Sequence, residues 1–196
     1  GLVERLPKSQ EWGIIGIDGQ GLRAISPDNL DARSAIHVST LFTLDSPKPW
    51  FTTVFVGREA TTDGRVTPWN LYNIRLEGGE VRRLTFNHGS NVDPFQTNDG
   101  RGLYAAERSP QEPGEAALRM SLFAIHMEGA DNELYGGGRG ARFQRMPCAT
   151  ERGLVVFVES TAPTVDGSGQ LACVEQRRPH VTYRPLTTDP AHRFLH

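Results

Sequence analysis

The chain has 196 residues, of which 37% are hydrophobic and 22% charged, and it carries a formal charge of −2 with a pI near 6.3. This length and apolar content can build a sizeable core, so the composition excludes an intrinsically disordered chain. The slightly acidic balance argues against a general nucleic-acid binder, which usually carries a basic excess, and no apolar run is long enough to span a membrane.

The first third of the chain consists of short apolar runs separated by turn residues. Residues 12–26 predict a hairpin, because two apolar runs flank Asp18-Gly19, a pair that tolerates the positive φ values of a tight turn. Polar composition and prolines predict loops over 27–34 and 57–68. Between these loops, β-branched and aromatic residues predict strands over 35–44 and 50–56.

The same pattern continues to the end of the chain. A polar loop is expected over 109–119 and another over 161–170. Strands are predicted over residues 71–76, 81–85, 91–96, 103–107, 121–127, 132–135, 143–148, 154–159, 171–175 and 183–187.

Part of this pattern repeats. Leu71 to Gly78 recurs as Leu122 to Gly129, an offset of 51 residues, and Arg101-Gly102-Leu103 matches Arg152-Gly153-Leu154 at the same offset. A repeat of this period indicates an array of similar units. Each unit holds about four strands and must be covered by its neighbours, which favours a β-propeller over the alternative of a β-sandwich.

Residues 82–109 resemble the TolB-like propeller repeat. The matching motifs are Leu84-Thr85, Asp93-Pro94, Asn98-Asp99-Gly100 and the strand Leu103 to Ser109. The second copy keeps Pro147 and the strand Val155 to Ser160, but it loses Leu-Thr at Tyr135-Gly136 and Asp-Gly at Glu151-Arg152.

The resemblance implies an all-β chain, a partial β-propeller of about three and a half four-stranded antiparallel blades. A TolB-like propeller usually closes with six, so the chain, which also lacks an initiator Met, is expected to be part of a larger ring. The missing blades are then expected from the same parent chain or from a protein partner. Residues 1–196 form one propeller domain in this interpretation, with a half blade at 12–26 and blades at about 35–85, 91–135 and 143–187.

Residues 82–94 taken with residues 176–187 are similar to the propeller part of hydrazine-synthase alpha-subunit-like proteins. That resemblance implies a periplasmic-type multihaem protein, so a periplasmic or secreted location is expected. The haem attachment pattern Cys-x-x-Cys-His is absent, because Cys148 and Cys173 stand alone. No cofactor is therefore expected in this chain, and haem or a metal ion would be implied only if the parent protein resembles hydrazine synthase.

Four residues are candidate metal ligands: His37, His126, Cys148 and His180. The histidines fall on or beside strands of three different units, and a propeller channel can bring such residues together. None has the close spacing of a zinc motif, and a buried free cysteine commonly acts as a small hydrophobe. The interpretation favoured here is that the histidines are scattered and half exposed, and that Cys148 has a structural role.

Other polar residues also have structural explanations. His88, Asp93 and Asp99 lie in one segment that could hold an acid–base site, but Asp99 is explained by its turn and Asp93 by capping before Pro94. The glycine-rich stretch Gly136 to Gly140 lacks the following helix of a phosphate loop, which favours a loop between blades. No Gly-x-Ser-x-Gly elbow is present, so no catalytic residue is assigned.

The resulting hypothesis is a non-catalytic propeller module for protein–protein interaction or scaffolding within a larger protein. The alternative is the propeller region of a multihaem redox enzyme or of a hydrolase, with catalytic residues outside this chain. A propeller that binds a sugar or a metal through channel His and Asp residues is a third hypothesis.

Overall fold

The computed structural model describes residues 2–5, 12–41, 50–59, 61, 65, 67–109, 118–136, 143–163 and 168–189. All regular structure in these ranges is β-strand, as the sequence predicts. This part of the chain has no helix with the length and apolar character of a membrane span. The strands are β1 (Leu2–Arg5), β2 (Trp12–Ile15), β3 (Arg23–Ala24), β4 (Leu30–Leu41), β5 (Trp50–Glu59), β6 (Asn70–Arg75), β7 (Arg82–Arg83), β8 (Asn91–Gln96), β9 (Arg101–Arg108), β10 (Arg119–His126), β11 (Glu133–Leu134), β12 (Phe143–Ala149), β13 (Leu154–Ser160), β14 (Gln170–Glu175) and β15 (Arg184–Pro185).

Neighbouring strands pair mainly in the order in which they follow along the chain. One sheet has the order β1-β2-β3 and a second has the order β4-β5-β6-β7. The third sheet joins β8 to β15, and it consists of two four-stranded sets, β8 to β11 and β12 to β15. A single parallel residue pair, Met120 with Phe143, links these two sets. The remaining register pairs of the described strands are antiparallel.

The chain divides into two compact units, Gly1–Pro94 and Phe95–His196. In the first unit the three-stranded sheet packs against the four-stranded sheet through aromatic side chains. Trp12 of β2 meets Phe55 of β5 edge-on with ring centroids 4.6 Å apart, and Phe55 stacks on Tyr72 of β6 at 5.6 Å. Burying these large rings contributes much of the core energy of the unit.

In the second unit an aromatic pair lies across the second and third strands of the first four-stranded set, and a modified version of it occurs in the last set. Tyr104 of β9 lies opposite Phe123 of β10, with ring centroids 5.9 Å apart. In the last four strands Phe157 of β13 lies opposite the small Ala172, and Tyr183 from the following turn approaches it instead, at 6.5 Å. Each four-stranded set therefore has a buried aromatic ring on its second strand.

The offset of 51 residues is confirmed where the third and fourth strands of a set meet. The N–H of Leu84 donates to the carbonyl of Leu71 at 2.8 Å, and the N–H of Tyr135 donates to that of Leu122 at 2.8 Å. The Leu-Thr motif has a specific role in the first set, because the hydroxyl of Thr85 accepts the N–H of Leu71 at 2.9 Å. The fourth strand, which pairs over only two residues, is held to the sheet by this side chain.

The offset differs at the hairpin between the first and second strands of a set. Thr97 to Gly100 forms the same turn as Thr150 to Gly153, because in both the glycine N–H donates to the threonine carbonyl at 3.0 Å. Both glycines have positive φ, 84° and 76°. The offset here is 53 residues, so the predicted match of Arg152-Gly153 with Arg101-Gly102 is wrong by two positions. The turn requires a glycine with positive φ, and this requirement, rather than sequence similarity, determines how the two hairpins align.

The same offset relates two residues with left-handed backbone before a proline. Asp93 has φ 56° and precedes Pro94, and Met146 has φ 54° and precedes Pro147. Aspartate tolerates this conformation better than methionine does, since its short side chain makes local hydrogen bonds. The left-handed backbone in β8 gives Asp93 a structural explanation, and capping by its side chain stays a prediction.

Two predicted loops are shorter in the structure. Residues 30–34 belong to β4 and 57–59 to β5, because Leu30 pairs with Glu59 and Asp31 with Arg58 in the antiparallel register. The polar composition of both segments hid these strand ends, whose charged side chains pair with each other across the ladder.

Candidate functional site at the turn end of the second unit

The structure places the four predicted metal candidates on separate elements. His37 lies in β4 with its side chain outside the described part, and His126 ends β10, half-buried, with Nδ1 accepting the Glu128 N–H at 3.5 Å. His180 is exposed in the turn after β14. Cys148 is exposed on β12, so the prediction that it is a buried small hydrophobe is wrong. Within the described ranges no three His, Cys, Asp or Glu side chains are grouped so that they could hold a metal ion. A metal role for these four residues stays a prediction.

The two cysteines are both free thiols, and the sheet keeps them apart. Cys148 and Cys173 each pair with Val156 of the strand between them. Paired residues on adjacent antiparallel strands lie about 4.5–5.5 Å apart, so the two Cα atoms are about 10 Å apart, beyond the range of about 4.4–6.8 Å for a disulfide. Cys173 is buried, and its Sγ accepts a hydrogen bond from Nε of Arg184 at 3.2 Å. The two cysteines therefore do not form a disulfide with each other.

Asp99 and His88 do not form the acid–base site that their spacing allowed. His88 is exposed, and Asp99 completes its own turn, where Oδ1 accepts the hydroxyl of Thr97 and, at 3.4 Å, the N–H of Arg101. Partial desolvation opposes ionisation of Asp99, but hydrogen bonds from Thr97, Gln176 and the Arg101 backbone outweigh it and lower its pKa. The carboxylate is thus kept ionised for a structural purpose.

The glycine-rich stretch is described only at its first residue. Gly136 is buried with φ 79°, next to the side chain of Val174. Residues 137–140, and with them Arg139, lie outside the described residues.

A cleft of about 740 Å³ lies where three hairpin turns of the second unit meet. The β8–β9, β12–β13 and β14–β15 turns share one end of the sheet, because β12 runs parallel to β10 and the other pairs alternate in direction. The residues that line the cleft are Asn98, Asp99, Glu151, Arg152, Gly153, Leu154, Glu175, Gln176, Arg177 and Arg184.

Charges of both signs surround this cleft, three acidic and three basic side chains. Three of them, Glu151, Arg152 and Arg177, are exposed, and their side chains have no hydrogen bond or ion pair within the described residues. Tyr135 borders the same region, donating its hydroxyl to the carbonyl of Gln176 at 3.5 Å. Burial, together with the negative charge of Asp99, raises the pKa of Tyr135 to about 12.

Sequence reasoning missed the charged residues of this cleft. The repeat assigns Glu151 and Arg152 to the position where the Asp-Gly pair is lost, and it also matches Arg152 with Arg101. Arg177 enters only as part of the resemblance over residues 176–187. The signal that could have found them is topological: alternate turns of an antiparallel meander lie at the same end, so the turn residues of neighbouring sets meet there.

Two solved structures are similar to the chain over most of its length. Kuenenia stuttgartiensis hydrazine synthase superposes with a TM-score of 0.69 and 21% identity, over 91% of this chain and 30% of that chain. A putative TolB from Agrobacterium tumefaciens superposes with a TM-score of 0.50 and 12% identity, over 90% of this chain and 73% of that chain. The described sheets have a TolB-like β-propeller fold.

The predicted resemblance to TolB-like propellers and to hydrazine synthase is thereby confirmed at the level of the fold. The TolB-like chain spans 30% of the length of the hydrazine synthase chain that it matches. No protein-family model matches it, and no curated protein matches it at a significant level.

Proposed function

We propose that this chain is a non-catalytic propeller module that serves protein–protein interaction or scaffolding within a larger protein. The cleft of about 740 Å³ at the turn end of the second unit carries the proposal, with the unpaired side chains of Glu151, Arg152 and Arg177 at its rim. Turns held by a rigid sheet commonly provide binding surfaces, and rim charges of both signs select and orient a partner.

The architecture proposed for the module is a half blade at 12–26 and blades at about 35–85, 91–135 and 143–187, in a ring of six when complete. The four-stranded sets β4 to β7, β8 to β11 and β12 to β15 support this division. The remaining blades would come from the same parent chain or from a partner. In this proposal the module holds no cofactor and contacts neither nucleic acid nor membrane.

A second candidate function is the propeller region of a multihaem redox enzyme, or of a hydrolase, with catalytic residues outside this chain. The TM-score of 0.69 with hydrazine synthase favours it. A periplasmic or secreted location is part of both proposals, supported by the resemblance to TolB and hydrazine synthase. Haem absorption in the purified parent protein would favour the redox enzyme, and its absence would leave the module and the hydrolase, which an assay for hydrolytic activity separates.

The interaction role can be tested by reversing one charge. Arg177→Glu changes an exposed side chain without a partner in the described residues, so it should leave the fold intact while opposing a partner that faces the cleft. The tagged parent protein is produced in its source organism and the size of its assembly is measured by size-exclusion chromatography.

Arg177→Glu is expected to shift the assembly to a smaller species. Arg82→Glu makes the same change of charge on an exposed residue of β7 and should elute as the wild type does. Elution of both variants at the wild-type position would contradict an interaction through this cleft.

A further inference from the structure

Two arginines of the first unit converge on one tryptophan. The Cζ atom of Arg33 lies 3.5 Å from the centroid of the Trp69 ring, and that of Arg58 lies 4.4 Å away. Both distances are well within the range of cation–π attraction. The register places Arg58 opposite Asp31, and Trp69 directly precedes β6, so the ends of three neighbouring strands build this Arg–Trp cluster.

A single carboxylate serves both guanidinium groups. Asp31 Oδ2 accepts Nε and Nη2 of Arg58 at 2.9 and 2.8 Å, whereas Nη2 of Arg33 lies 3.9 Å from the same oxygen, too far for a hydrogen bond. Among the described residues the guanidinium of Arg33 donates no hydrogen bond. Stacking on Trp69 holds this group in place, so its donors are already oriented for an acceptor.

The charge of the cluster identifies the kind of acceptor. Among the described residues of the cluster, two guanidinium groups and one carboxylate leave one positive charge unmatched, which a single carboxylate would neutralise. A phosphate dianion would leave an excess of negative charge, and Asp31 would repel it about twice as strongly as it repels a carboxylate. Partial burial lowers the pKa of Arg33, and the negative charge of Asp31 raises it. The positive charge of Arg58 lowers it, because the two guanidinium groups repel each other. A further anion beside them would offset that repulsion.

The exposure of the cluster indicates how a carboxylate is presented. The side chain of Arg33 is 53% exposed. An isolated ion pair this open to solvent contributes at most about 1 kcal/mol, too little to retain a small carboxylic acid. As one contact within a larger interface it is more effective, and arginine and tryptophan are the residues that most often dominate binding there.

We propose that Arg33, stacked on Trp69 and flanked by Arg58, is a docking point for an aspartate or glutamate side chain of a partner protein. This inference rests on the proposed interaction function and names the chemistry of the partner at one surface. It concerns only the first unit, whereas Arg177 lies in the second. The docking point can therefore be refuted while the Arg177→Glu result supports the interaction function, and the Arg177→Glu test can fail while the docking point is supported.

The test is an NMR titration of the complete chain with an acetylated, amidated hexaglutamate peptide at low ionic strength. The indole N–H signal of Trp69, assigned with Trp69→Phe, should shift and saturate. Arg33→Gln should weaken binding about three- to fivefold, whereas Arg82→Gln, with the same change of charge on an exposed residue of β7, should change it less than about twofold. Arg33→Lys should also weaken binding, because lysine keeps the charge but loses the planar fork.

Three outcomes would overturn the proposal. The first is a shift of the Trp69 indole signal that does not saturate, and the second is an equal loss in Arg33→Gln and Arg82→Gln, which would indicate non-specific attraction. The third is a larger shift with inorganic phosphate than with the peptide at equal concentration. Circular dichroism of each variant confirms that it is folded.

Discussion

Thr85 offers a direct test of how the short fourth strand is held in each set. Its side chain is 1% exposed, and its hydroxyl accepts the N–H of Leu71 at 2.9 Å while donating to Oδ1 of Asn70 at 3.1 Å. Thr85→Val keeps the shape of the side chain and removes both hydrogen bonds. Oδ1 of Asn70 retains a donor, the side-chain amide of Asn91 at 3.2 Å, but the Leu71 N–H is left buried and unpaired.

An unpaired buried N–H costs about 1–3 kcal/mol, and losing the second hydrogen bond adds about 0.5–1.5 kcal/mol. We therefore expect Thr85→Val to lower the free energy of unfolding by about 2–4 kcal/mol. The matched control is Thr187→Val, because Thr187 accepts the N–H of Leu171 at 2.8 Å in the same way. Thr187 and Leu171 are only half-buried, so water can replace the lost partner, and the cost should stay below about 1 kcal/mol.

Urea denaturation followed by tryptophan fluorescence and far-UV circular dichroism separates the two effects. All three tryptophans, Trp12, Trp50 and Trp69, lie within residues 1–94, so fluorescence reports on Thr85→Val in the first unit. Far-UV circular dichroism, to which the strands of both units contribute, is needed to follow Thr187→Val in the second unit. With a urea dependence of about 2 kcal/mol per M, Thr85→Val should lower the fluorescence midpoint by about 1–2 M. Equal losses of unfolding free energy, from fluorescence for Thr85→Val and from circular dichroism for Thr187→Val, would refute the reasoning, because burial would then not decide the cost.

Three further predictions concern single residues. Desolvation raises the pKa of Tyr104 from 10.0 to about 12. The stabilisation of the folded state by the neutral phenol is therefore complete below pH 10 and is lost as the pH rises towards 12. Tyr104→Phe should make the decrease of the free energy of unfolding between pH 10 and 12 less steep, by up to about 1.4 kcal/mol per pH unit. Gly100→Ala and Gly153→Ala should each cost about 1–2 kcal/mol in thermal unfolding, with asparagine at either position costing less, and unequal costs would contradict the shared turn. The thiol reagent DTNB should react with Cys148 in the folded protein and with Cys173 only after unfolding, and a reaction of both in the folded state would contradict the burial of Cys173.

The strand pattern was predictable because local chemistry determines it. Asn91 to Gln96 was predicted as a strand and forms β8 with those bounds, since Asp99-Gly100 after it permits only a tight turn. The start of β4 was missed because charged Asp31 and Arg33 follow a polar stretch, and their cross-strand partners in β5 are far away in sequence. A pattern read along the chain does not contain that pairing.

The candidate sites were less predictable than the fold. A propeller channel could bring His37, His126 and His180 together, but strand direction and register decide which side chains converge. Within the described residues no three His, Cys, Asp or Glu side chains are grouped for a metal ion. Arg33 and Trp69 lie far apart in sequence and match no motif. They are brought together by three strands, so the Arg–Trp cluster becomes visible only when the register of β4, β5 and β6 is known.

Site-specific photo-crosslinking is the most direct test of the interaction module. A benzoylphenylalanine in place of Glu151 stands at the rim of the cleft, and one in place of Thr161, which is also exposed, stands in the loop between β13 and β14 at the other end of the sheet. In the source organism we expect the Glu151 probe to give one crosslinked species of defined mass and the Thr161 probe to give none. Crosslinks of the same pattern from both positions, or from neither, would contradict a partner at the turn end of the second unit.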